Sequence, residues 1–170
     1  TGCHPSGAMV GTQDRKTSMA NWPHQSECQD FYGKPGRVEL VKLIPPYPLF
    51  YDEKPISFFY IHHKCRDSAM RVLTAVKNIY GDRIHALGLD RYDGCYNPRK
   101  MRGGNAWSMH AYGCAIDFDA SHNQFREDHR TARFARPEYK EWMDAWEVEG
   151  WVSLGRARDF DWMHFQAARL

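Results

Sequence analysis

Two short segments of this 170-residue chain carry side chains whose types and spacing suit metal-assisted hydrolysis. The first is Ser108-Met-His110-Ala-Tyr-Gly113-Cys-Ala115-Ile-Asp117, and the second, tens of residues later, is Asp161-Trp-Met-His164-Phe-Gln166. Neutral imidazole and carboxylate are both good zinc ligands, and a catalytic zinc takes three protein groups while keeping a fourth position for water. His110 and Asp117 offer two of the three, and His164 can complete the set. Asp161 precedes His164 by three residues, where a carboxylate can serve as general base toward water. Its neighbours are large and apolar, and polar groups in such surroundings need a reason to be there. Read singly, the first segment fits a capping His with a surface Asp equally well, and the second fits an ordinary hydrogen-bonded Asp and His. Only the two together single out a metal site.

A third place is the loop Tyr96-Asn-Pro-Arg99-Lys-Met-Arg102-Gly-Gly. Hydrolysis at a carbonyl builds negative charge on the former carbonyl oxygen, and a preorganised cation there lowers the barrier. Arg99 and Arg102 compete for that role, and Arg102 can instead hold a substrate carboxylate through paired hydrogen bonds. A solvated basic loop is the plain alternative. Ser108 is expected near the metal, touching substrate or a ligand, or else making a structural turn. His62-His63 reads as a helix-start or surface pair, and His122 and His129 lie in a polar loop that can rim a cleft. Asp119 either orients a ligand or caps the following loop.

The elements that must position these groups follow from hydrophobic period and breakers. Residues 20–37 mix Trp, Phe and Tyr with Pro and Gly, an irregular segment that packs aromatics onto the domain. VELVKLI (38–44) reads as a strand closed by PPYP. From His63 to Tyr80 apolar positions recur at three and four, an amphipathic helix stopped by Gly81. IHALGL (84–89) reads as a short strand, 91–104 as a loop, AIDFDA (115–120) as a strand and 121–133 as a polar loop. A helix starts at Pro137 and ends near Gly150, and DFDWMHFQA closes the chain as a strand. If residues 115–119 are extended, Ala115, Asp117 and Asp119 share one face while Ile116 and Phe118 anchor in the core. Gly113 lets the backbone turn tightly between His110 and that strand. The fold class is therefore α+β: a small antiparallel sheet flanked by helices, with long loops and the zinc site in a cleft on the sheet. The expected division is an irregular N-terminal arm and packing segment over 1–37 and, over 38–170, the domain that carries the three candidate places.

Composition narrows the partners. The apolar fraction of 42% and charged fraction of 26% are those of a globular protein, and no run is long enough to span a membrane. A net charge of +2 demands no nucleic acid. The five Cys are odd in number and form no CxxC pair, so they read as mostly reduced, with Cys28–Cys65 left open as a pairing. The first residues lack a charged segment followed by an apolar run, so no secretory signal is read there.

The joint pattern Ser-x-His-x-x-Gly-x-Ala-x-Asp followed by Asp-x-x-His resembles the zinc D-Ala-D-Ala carboxypeptidase and L-Ala-D-Glu endopeptidase family, which includes van-type dipeptidases and phage endolysins. The resemblance spans roughly residues 60–168. It implies one catalytic zinc held by His110, Asp117 and His164, with Asp161 as base, and Arg99 as the better match to the family's usual Arg before the motif. Arg102 and Ser108 are then substrate contacts. The implied partner is a peptidoglycan stem peptide, bound by a monomer made in the cytoplasm and acting on the wall after release, or carried on a virion. An Asp rather than Glu at the base position resembles the phage-type endopeptidases, which favours the L-Ala-D-Glu bond. A D-Ala-D-Ala carboxypeptidase is the alternative. The hedgehog signalling domain shares this fold and zinc ligation yet acts by binding, so a non-catalytic zinc-stabilised module stays open as a third reading.

Overall fold

A computed structural model describes residues 21–170, so Cys3 and residues 1–20 of the expected arm lie outside the described part. The chain then enters a 3-10 turn at Gln25–Glu27 and a short helix, α1 (Cys28–Tyr32). Trp22, Cys28 and Tyr32 are buried, and the Tyr32 hydroxyl donates to the Ala167 carbonyl at 2.6 Å. The first strand is β1 (Leu40–Leu43), inside the expected 38–44. After it come a hairpin of β2 (Leu49–Tyr51) and β3 (Lys54–Ile56), then β4 (Phe59–His62), which returns antiparallel to β1. Sequence pattern missed these three strands. The hairpin turns on Asp52 and Glu53, both at positive φ (48° and 62°), where an Asn-Gly pair would have been the readable signal.

Helix α2 (Arg66–Tyr80) buries Ala69, Val72, Leu73, Val76 and Tyr80 along one stripe and stops at Gly81. It starts three residues later than the periodicity suggested, because His62 still belongs to β4. That histidine is a buried core residue, not the helix-start or surface residue expected. Its Nε2–H donates to the Tyr32 carbonyl at 2.7 Å and its Nδ1 accepts from the Lys64 N–H at 3.1 Å, so the ring is satisfied. Burial accordingly pushes its pKa below the usual value.

Ile84–Leu87, read as a strand, is a one-turn helix, α3. It follows α2 through a 3-10 turn and ends at Gly88 in the left-handed region. Four apolar-leaning residues carry too little period to tell strand from helix, and here the preceding turn and the Gly cap decide.

The remaining elements build the site. They are β5 (Ala115–Asp117), α4 (Lys140–Val148) entered at Pro137, β6 (Val152–Ser153), α5 (Leu154–Arg158) and β7 (His164–Gln166). The three strands form one antiparallel sheet in the order β5-β7-β6. The architecture is α+β as expected, with three small antiparallel sheets among the described residues in place of one. Alternation along β7 sends Phe165 into an aromatic core, stacked on Trp146 at 4.9 Å and edge-on to Trp142 at 5.6 Å, while His164 and Gln166 face the other way. The four described cysteines are buried free thiols, so Cys28 and Cys65 are not bridged.

One glycine fixes how the final turn meets α5. A Cβ on Gly155 would lie 2.2 Å from Cδ2 of Trp162, inside the ring's own volume, and Trp162 directly follows Asp161. Gly155→Ala should therefore destabilise the protein by about 1–3 kcal/mol, the usual cost of overpacking a filled core. The readout is a lower urea midpoint at unchanged m; an unchanged midpoint would show that the ring has somewhere to go.

Candidate metal centre

The first motif folds as its spacing suggested. The Ser108 hydroxyl oxygen accepts from the His110 N–H at 3.2 Å, capping a 3-10 turn over Met109–Tyr112. Gly113 ends that turn at φ +70°, and its carbonyl accepts from the His62 N–H at 2.9 Å. A Cβ there would lie 2.8 Å from Leu40 Cδ2 and 2.9 Å from the His62 nitrogen, so both the turn and the close approach to β4 require glycine. The chain reverses and leaves His110 over the end of β5. On the other side, Asp117 and His164 are direct partners in the β5–β7 register, so their side chains leave the sheet together.

Three ligand-type side chains thereby converge. His110 Nε2 lies 3.1 Å from Asp117 Oδ2, and His164 Nδ1 lies 3.1 Å from Asp117 Oδ1. One atom from each residue falls within 4.8 Å of the others. The outer nitrogens show which atoms are free. His110 Nδ1 is 2.8 Å from the Cys95 carbonyl, which can only accept, so Nδ1 carries the proton and Nε2 the lone pair. His164 Nε2 is 2.9 Å from Gln166 Oε1, which leaves the lone pair on Nδ1. Two lone pairs thus face one carboxylate, an arrangement that a shared divalent cation satisfies and that matches three-ligand zinc chemistry. The electrostatics agree: burial opposes charge on Asp117, yet the flanking imidazoles outweigh it and hold its carboxyl well below the usual range. Burial likewise opposes a charged His164 ring, and Asp117, with Asp161 behind it, outweighs that and raises its pKa.

Asp161 sits at φ 50°, a left-handed turn that Asp tolerates better than most residues. Its carbonyl accepts from the His164 N–H at 3.0 Å, and its carboxylate Oδ2 lies 3.9 Å from His164 Nδ1. Burial raises the pKa of the Asp161 carboxyl from its ordinary value, against the pull of His164 and, more weakly, Arg102. All four side chains open onto a cavity of about 270 Å³, also lined by Arg99, Arg102, Ser108 and an apolar wall including Phe125, Phe160 and Met163. The Arg102 guanidinium lies 4.6 Å from the centre of the Phe125 ring, which holds it at the edge of the cleft. Arg99 is half-buried, and one guanidinium nitrogen donates to the Lys100 carbonyl at 3.3 Å.

Other candidates fall elsewhere. Asp119 does not share a face with Asp117: at φ 48° the strand has ended, and its buried carboxylate pairs with His122 at 2.7 Å and faces Arg133 at 3.7 Å. His122 and His129 do not rim the cleft; the latter pairs with Asp159. Sequence reading passed over Gln166, although alternation from His164 puts position 166 on the same face. It also passed over the Cys95 carbonyl and Gln25, for which no local signal exists.

The fold and centre define a cleft in which three ligand-type side chains could hold a metal ion, with the Asp161 carboxylate beside them and Arg99 and Arg102 on the same lining. Residues 102–167 match the family model described as D-alanyl-D-alanine carboxypeptidase. The match bears out the family resemblance carried by the two motifs and supports a peptidase. It is shorter than the 60–168 read from sequence, and it holds His110, Asp117, Asp161 and His164 but not Arg99. Comparison with curated proteins and with solved structures gives no match. Among the described residues, no helix is long and apolar enough to cross a membrane.

Proposed function

We propose that this chain is a zinc-dependent peptidoglycan peptidase that cuts the stem peptide between L-Ala and D-Glu. The observation that carries the reading is the convergence of His110 Nε2, the Asp117 carboxylate and His164 Nδ1, with the Asp161 carboxylate 3.9 Å from His164 in the same cavity. His110, Asp117 and His164 would hold the zinc, which when bound acidifies water and polarises a carbonyl. Asp161 accepts the proton from the attacking water and returns it to the leaving amine, a task suited to a carboxyl raised by burial. Arg99 stabilises the charge that builds on the carbonyl oxygen. Arg102, held over Phe125, meets a substrate carboxylate, and Ser108 borders the substrate while capping the turn that carries His110. The chain acts as a monomer on cell wall after release or from a virion.

The bond rests on Asp161, since Asp at this position resembles the phage-type endopeptidases. The matched family is described as D-alanyl-D-alanine carboxypeptidase, which favours a second reading, removal of the terminal D-Ala. Mass spectrometry of products from defined muropeptides separates the two. A new N-terminal D-Glu is the expected product, released D-Ala would establish the carboxypeptidase, and neither product from zinc-loaded protein would leave a binding module.

A further inference from the structure

The stretch before β1 lies outside the segment matched to the family, yet it reaches the metal centre. Gln25 lines the same cavity as His164. Its Oε1 accepts from Gln166 Nε2 at 2.9 Å, and the same Nε2 donates to the Ala168 carbonyl at 3.1 Å. With both amide hydrogens directed to these acceptors, Gln166 can present only its oxygen to His164 Nε2. A flipped Gln166 amide would turn its NH2 on the ring, drive the imidazole proton to Nδ1 and remove the lone pair that faces Asp117. Gln25 is itself anchored to the end of the chain: its N–H donates to the Arg169 carbonyl at 2.8 Å, and the Arg169 N–H donates to the Pro23 carbonyl at 2.7 Å.

We infer that Gln25 is a positioning residue of the metal centre, holding His164, through Gln166, in the tautomer whose Nδ1 is free to bind metal. The inference rests on the zinc reading above and extends the functional unit to a residue far from either motif. Outer hydrogen-bond partners of ligating histidines change metal affinity by about 10–100-fold. Gln166→Leu should show that full effect, and Gln25→Leu, one bond further out, about three- to tenfold.

Cobalt(II) titration followed by its visible absorption, together with nitrogen NMR of the histidine rings in metal-free protein, tests this without any assay of turnover. Gln25→Leu is expected to weaken cobalt binding and to shift His164 toward the Nδ1-protonated tautomer, with the thermal midpoint of the metal-free protein unchanged. Gln25→Glu keeps the acceptor and should restore binding. In a Gln166→Leu background, Gln25→Leu should add nothing, because the relay is already cut. Additive losses, or wild-type affinity in Gln25→Leu, would overturn the inference while leaving the metal centre intact. A wild-type chain that takes up no cobalt would instead remove the zinc reading and this inference with it.

Discussion

Replacing Asp161 by asparagine is expected to lower kcat/KM on cell-wall peptide by about 10²–10⁴-fold, the usual contribution of a positioned general base, while one zinc per chain is retained. Asparagine is the sharper choice because residue 161 sits at φ 50°, where Asn is tolerated nearly as well as Asp. Asp161→Ala should lose turnover too, but with added backbone strain of about 1–2 kcal/mol. The carboxyl is raised by burial, so it protonates at a higher pH than an exposed aspartate. Activity in the wild type should therefore fall as pH drops through that raised value, since only the carboxylate can accept a proton. The residual activity of Asp161→Asn should lack this acid limb. Full activity in either variant would remove Asp161 from the mechanism.

His110→Ala should act at the other level and lose the metal itself. His110 Nε2 is one of only three ligand-type atoms in the group, and its other nitrogen is tied to the Cys95 carbonyl. Losing a ligand must cost more than losing an outer partner, hence more than about 100-fold in affinity. Stability should follow, because a ligand that binds only the folded state at a thousand times its Kd contributes about 4 kcal/mol. In zinc-containing buffer His110→Ala should therefore unfold well below the wild type, and a chelator should bring the wild type down toward it. Zinc uptake by His110→Ala equal to wild type, measured by equilibrium dialysis, would place the metal elsewhere.

The two variants separate binding from chemistry, which is the distinction on which the enzyme reading turns. A scaffold of the binding-module kind needs His110, Asp117 and His164 but has no use for a buried, raised carboxyl or for the two arginines that line the same cavity.

What the sequence conveyed and what it hid follow one physical division. Local rules were readable: the Gly113 turn, the α2 stripe and the alternation that turns Asp117 away from the core-facing Ile116. Asp119 shows the limit of the last of these, since a left-handed residue ends the strand before the alternation can carry its carboxylate to the cleft. Pairing was not readable where its turn lacked the usual residues or its partner lay far along the chain. The β2–β3 hairpin turns on two non-glycine residues at positive φ, and β6 is two residues long. His62 looked like a surface histidine because its partner, the Tyr32 carbonyl, comes from a distant helix end. Gln25 and Gln166 are separated by most of the chain, and only the folded structure brings their amides to 2.9 Å.

Turbidity of purified cell walls, followed in one cuvette through addition of protein, then chelator, then excess zinc, tests the central claim most directly. The zinc endopeptidase account predicts clearing, arrest and recovery in that order, with Asp161→Asn inactive throughout despite bound zinc. Clearing that continues through the chelator, or zinc-loaded wild-type protein that never clears the walls, would contradict it.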